Sequence, residues 1–115
     1  MLPLYVTSGE PAGIGPDICL SLADRIDERP IVVLADIHML KQRAEILNQQ
    51  IELIEYQGQS DTSAQGQLYV EHVGLNTEVV LGKLNAQNSA YVLEQLRRSA
   101  DYAMQGKSVG VATAP

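Results

Sequence analysis

The chain has 115 residues, 45% of them apolar, with fourteen acidic side chains against eight basic ones and a net charge of −6. That length makes a single domain, and the acidic balance disfavours nucleic acid or an anionic membrane as main partner, since both are bound through cationic patches. A lone cysteine, Cys19, excludes an intramolecular disulfide framework, and no apolar run reaches the roughly 20 residues of a membrane span. With neither Trp nor Phe, the core is expected to be Leu, Ile, Val and Ala, with tyrosines at its margins. The N-terminus lacks a basic region followed by an apolar signal core. The expectation is a soluble cytoplasmic α/β domain.

Leu4 to Thr7 reads as a short buried strand that runs into the glycine-rich stretch SGEPAGIGP. Pro16 suits the first turn of a helix, where its missing N–H costs least. Cys19, Leu22, Ala23 and Ile26 then fall on one helical face. Ile31 to Ala35 is continuously apolar, as in a strand covered on both faces. Ile37, Leu40, Ala44 and Leu47 define a second amphipathic helix, and Ile51 to Tyr56 alternates like a third strand. Gly58 to Gly66 is a polar surface loop, followed by a strand over Leu68 to Val73, placed near an edge. Asn85 is a plausible N-cap for a long helix from Ala86 to Gln105, with Leu93, Leu96, Ala100 and Ala103 as its seam and Gly106 as its stop. Ser108 to Ala112 reads as a buried strand leading into Thr113-Ala114-Pro115.

Strands alternating with helices imply a mainly parallel sheet with flanking helices. Ligands of such sheets sit beyond the carboxyl ends of the strands. The Gly9–Pro16 loop and Thr113 both leave strands, so they are predicted to lie on one sheet edge. Gly9, Gly13 and Gly15 have the G-x-x-x-G-x-G spacing of short-chain dehydrogenases, and Asp36 follows the second strand, where an acid could hold a ribose hydroxyl. Against that reading, Pro16 removes a donor from the helix end meant for pyrophosphate, and neither Tyr91 nor Tyr102 has a lysine four residues on. A tight turn without any ligand, and a non-enzymatic binding or dimerisation module, remain open alternatives.

The nonapeptide GEPAGIGPD, together with LNAQNSAYVLEQLRRSADYAMQGKSVGVATAP, resembles the 4-hydroxythreonine-4-phosphate dehydrogenase family. The resemblance implies an isocitrate/isopropylmalate dehydrogenase-like fold. It also implies that residues 1–115 are one α/β domain, the N-terminal third of a longer two-domain enzyme. That enzyme is expected to use NAD or NADP and a divalent metal to oxidise and decarboxylate 4-phosphooxy-L-threonine for pyridoxal phosphate synthesis, as a homodimer with its site at the subunit interface. The family usually has Gly where Ala114 stands. Its lysine, His-Thr motif and three metal-binding histidines fall beyond Pro115, so neither a catalytic residue nor a metal ligand is assigned here, and the chain alone is expected to be inactive. The glycine loop becomes a stiff wall offering close backbone approach, with Gly13, Ile14 and Gly15 as the residues expected to face the cofactor.

Other polar residues are given ordinary roles. His38 and His72 are far apart in sequence and lack companion ligands. Asp17 complements a helix N-terminus, although it and Glu10 are possible acid–base groups. Cys19 packs as a buried thiol, and Arg97 and Arg98 with Glu94 form a solvated helix face.

Overall fold

The computed structural model describes residues 2–25, 29–59, 61–75, 79–80, 82–83 and 85–114. Among the described residues five strands make one parallel sheet: β1 (Leu4–Thr7), β2 (Ile31–Ala35), β3 (Glu52–Glu55), β4 (Gln67–His72) and β5 (Gly110–Thr113). Their order across the sheet is β3-β4-β2-β1-β5. The expected α/β class with flanking helices is thus what the chain adopts.

Two apolar layers cover the sheet. Val6, Val33 and Val70 pack with Cys19 and Leu20 of α1 (Gly15–Ser21) and with Leu40 and Ala44 of α2 (Ile37–Ile46). On the other face Tyr5, Val32, Leu34 and Tyr69 pack with Tyr91 of α3 (Ser89–Met104). Residues of β2 point alternately into the two layers, so its continuous apolarity is explained. Tyr56 and Tyr102 sit at the core margin as expected, but the other three tyrosines do not. Tyr5, Tyr69 and Tyr91 are buried in the heart of the second layer, where large rings replace the absent Phe and Trp.

Several expectations are corrected. The first helix is shorter than its periodicity suggests: α1 gives way to a 3-10 turn over Leu22–Asp24, and Arg25 is extended. Ile26 lies outside the described residues. Leu47 is the exposed C-cap of α2 rather than part of its seam, and Arg43 is buried in its place. Strand β4 is interior, between β3 and β2, and β3 is the edge. At the other edge β5 is mostly exposed rather than buried. The largest correction concerns α3. Leu93, Leu96, Ala100 and Ala103 face outward, while Tyr91, Gln95 and Ser99 are buried against the sheet. Arg98 is also not simply solvated, since it reaches Glu71 and the carbonyl of His72; Arg97 is exposed as expected.

Burial leaves a pH signature. It pushes the Cys19 thiol from 9.0 up to about 12, and it pushes the Tyr91 hydroxyl from 10.0 up to about 12, against hydrogen bonding with Ser8 and with the Asp36 N–H that lowers it. Both groups ionise sooner in the unfolded chain, which therefore holds fewer protons as the pH rises. Stability conferred by the protonated native groups is full below pH 9.0 and lost progressively toward pH 12. Urea midpoints measured at about pH 7 and about pH 10 should show the fall. An unchanged midpoint would mean that these groups titrate as freely as in the unfolded chain.

Candidate functional site

Parallel pairing sets Thr7 beside Thr113, and the amide of Ala114 donates to the Thr7 carbonyl at 2.9 Å. The glycine loop after β1 and the residue closing β5 therefore leave the sheet at one edge, as predicted. Gly9 carries the left-handed backbone of the turn, with φ 74°, a conformation glycine adopts without penalty.

The loop is gripped from both faces of the sheet. From α3, the buried Gln95 side chain accepts the Gly9 N–H at 3.1 Å. From α2, the buried Arg43 guanidinium donates to the carbonyls of Pro11 (2.5 Å) and Gly13 (3.1 Å) and pairs with Asp17 at 2.7 Å. The Glu10 carboxylate accepts the Ala12 N–H and an Asn88 amide hydrogen. Ser8 donates its single hydroxyl proton to the Leu34 carbonyl at 2.9 Å, in preference to the Gln95 oxygen at 3.3 Å. These bonds answer why α3 buries a polar face. The loop has few internal partners, and buried backbone groups must find them elsewhere.

Of the three residues expected at the cofactor, Gly13 and Ile14 line an open recess of about 320 Å³ together with Asp17, Ile46 and Leu47. Ile14 is 61% exposed there. Gly15 is buried as the first residue of α1 and does not line this recess. A Cβ at Gly13 would meet the Glu10 carbonyl oxygen at 3.5 Å, an ordinary contact, and its φ is not in the left-handed region. The local backbone therefore does not require glycine at this position.

Asp36 is fully engaged. One carboxylate oxygen caps α2 through the N–H groups of His38 and Met39, and the other accepts the Leu75 N–H at 2.9 Å. With both oxygens already accepting N–H groups and the side chain buried, the carboxylate is spent on the fold rather than presented to a ribose. Asp36→Ala would strand three N–H groups, two of them in the α2 cap, and is expected to cost about 2–3 kcal/mol. Asp36→Asn, which keeps one acceptor, should cost less, and chemical denaturation of both variants checks the order.

His38 and His72, far apart in sequence, meet in space with ring centroids 5.6 Å apart. The Nδ1 of His72 accepts the Ile37 N–H at 3.1 Å. Ligation through Nε2 would place the ring proton on Nδ1, against that N–H donor. Among the described residues no three His, Cys, Asp or Glu side chains gather as a metal site. Glu94 bonds Arg97 and Arg98, which hold its carboxyl down at about 2.

Residues 27–115 match the family described as pyridoxal phosphate biosynthetic protein PdxA. This chain belongs to the PdxA family. The 4-hydroxythreonine-4-phosphate dehydrogenase of Vibrio cholerae is 44% identical over 114 residues, 97% of this chain and 34% of that protein. The enzyme of the same name from Neisseria meningitidis serogroup A is 44% identical over 110 residues, 96% of this chain and 33% of its own length. The crystal structure of a 4-hydroxythreonine-4-phosphate dehydrogenase from Klebsiella pneumoniae superimposes with a TM-score of 0.86 at 29% identity, over 100% of this chain and 37% of that one. The chain therefore spans about a third of the length of the curated relatives it matches. The glycine loop precedes the matched family segment but lies within the span shared with those relatives.

Sequence reading missed Arg43, Tyr91, Asn88 and Gln95. Arg43 carried a signal, since it is a charge adjoining Ala44 on the predicted apolar face of α2. Gln95 carried none, because a glutamine between leucines reads as solvent-facing.

Proposed function

We propose that this chain is the N-terminal third of a two-domain, NAD- or NADP-linked dehydrogenase. That enzyme oxidises 4-phosphooxy-L-threonine, and the resulting β-keto acid loses carbon dioxide on the way to pyridoxal phosphate. The reading rests on 44% identity across nearly the whole chain to relatives named for that activity. It also includes a homodimer, a cytoplasmic location and a divalent metal. The described residues offer that metal no fitting ligand set, so its ligands belong to the polypeptide that relatives carry beyond this third. The part played by this chain is to position: Arg43 and Gln95 hold the loop, and Gly13 and Ile14 form a wall that the dinucleotide approaches closely. Prolines at 11 and 16 stiffen that wall while supplying no N–H, so it recognises shape rather than phosphate charge.

The test is Gly13→Val in the full-length enzyme. Because a Cβ fits at this position, melting should shift little, while the bulk outside the loop raises the cofactor KM by about tenfold, a loss near 1.4 kcal/mol. A variant that melts early yet shows normal kinetics while folded would make the loop structural only.

A further inference from the structure

Helix α3 and its cap present a polar stripe to the glycine loop. Asn88, Tyr91 and Gln95 are buried and stand at i, i+3 and i+7, the spacing of one helical face. They engage three successive residues of the loop. The Tyr91 hydroxyl lies 3.4 Å from Ser8 Oγ, Gln95 accepts the Gly9 N–H at 3.1 Å, and the Asn88 amide donates to the Glu10 carboxylate at 3.2 Å. Tyr91 adds an attachment to a second strand exit. Its oxygen accepts the N–H of Asp36 at 2.9 Å, the residue that follows β2 and caps α2. Ser8 spends its own proton on the Leu34 carbonyl, so Tyr91 is the donor in the long Ser8 contact. Burial raises the hydroxyl above its ordinary range, which keeps that proton in place at neutral pH. One directed chain results, from the Asp36 N–H through Tyr91 and Ser8 to the Leu34 carbonyl. It starts and ends at β2 and passes through the residue that leaves β1. Bonds in such a chain polarise and strengthen one another in a buried setting.

On the reading of the loop as a cofactor wall, we propose that Tyr91 is a positioning residue: its hydroxyl fixes the glycine loop to the exit of β2, and the loop so held sets how tightly the dinucleotide binds. Packing alone does not call for that hydroxyl. The ring sits among Tyr5, Val32, Leu34 and Tyr69, where a phenyl group would fill the same space, and a buried hydroxyl costs free energy unless it is bonded. The loop also needs an outside hold, because Gly9 takes a left-handed backbone and glycine does not by itself confine the chain to it.

The experiment places Tyr91→Phe in the full-length enzyme, which keeps the ring and removes only the hydroxyl. Initial rates well below the melting temperature should show the cofactor KM raised about fivefold with kcat within about twofold. A loosely held loop binds the dinucleotide less well but presents it to the same chemistry. Val70→Ala, in the apolar layer on the other face of the sheet, is the control for lost stability. It should lower the melting temperature at least as much and leave the cofactor KM unchanged. A second readout needs no cofactor. In Tyr91→Phe the Gly9 amide, whose acceptor Gln95 is untouched, should exchange about tenfold faster, and in Val70→Ala it should not. A Gly9 amide that keeps its protection in Tyr91→Phe would overturn the brace and leave Tyr91 a packing residue. Faster exchange with an unchanged KM would overturn the link to affinity, and with it the reading of the loop as a cofactor wall. A KM that rises equally in Val70→Ala would overturn the proposal as well, since general loosening then accounts for the effect.

Discussion

Arg43→Met should destabilise the chain by about 3–4 kcal/mol, the largest loss expected from any single substitution at the site. The guanidinium is 4% exposed and holds two backbone carbonyls, Pro11 and Gly13, as well as Asp17. Methionine matches much of the volume but donates nothing, so both carbonyls lose charge-assisted bonds in a place that water reaches poorly. The Asp17 pair contributes the smaller share, because that carboxylate is 37% exposed and solvent screens it. Against a total stability of about 5–15 kcal/mol for a domain, such a loss unfolds a sizeable fraction of molecules under mild denaturant. Arg43→Lys keeps the charge but has no planar fork to bridge both carbonyls, and should recover only part of the loss. Urea unfolding followed by circular dichroism measures all three proteins. A Met variant within about 1 kcal/mol of the parent would show that the loop holds its shape without Arg43.

The isolated chain should show no dehydrogenase turnover. Its relatives are about three times longer, and removing parts of a site that works as a unit abolishes most of the rate. Among the described residues none forms a metal cluster, and Glu10, Asp17 and Asp36 are each engaged with loop or cap partners. Cofactor reduction with 4-phosphooxy-L-threonine and added divalent metal is the first assay, on protein whose mass shows that it ends at Pro115. Turnover above background would overturn the reading of this chain as one third of the enzyme. Calorimetric metal titration is the second. Stoichiometric binding lost on replacing His38 or His72 would make those side chains ligands despite the Ile37 N–H that His72 accepts.

The sequence by itself determined the α/β class, the strand order along the chain and the family. Each of these is written locally: Ile31 to Ala35 is apolar without a break, Gly106 stops α3 with φ 70°, and the nonapeptide after β1 is a contiguous motif. It also placed the glycine loop and Thr113 on one edge, because parallel strands must exit together. Only the tertiary structure decided which strands are edges, since β3 and β4 are exchanged in space relative to their order in sequence. It alone decided the buried face of α3. Hydrophobic periodicity selected the leucine seam, which is exposed, whereas Tyr91, Gln95 and Ser99 turn inward toward the loop and the sheet. The physical reason is that apolar periodicity marks a surface to be covered without saying by what. The loop's backbone groups lie some 80 residues away in sequence from the glutamine that satisfies them, and a pairing of that separation exists only once the chain is folded.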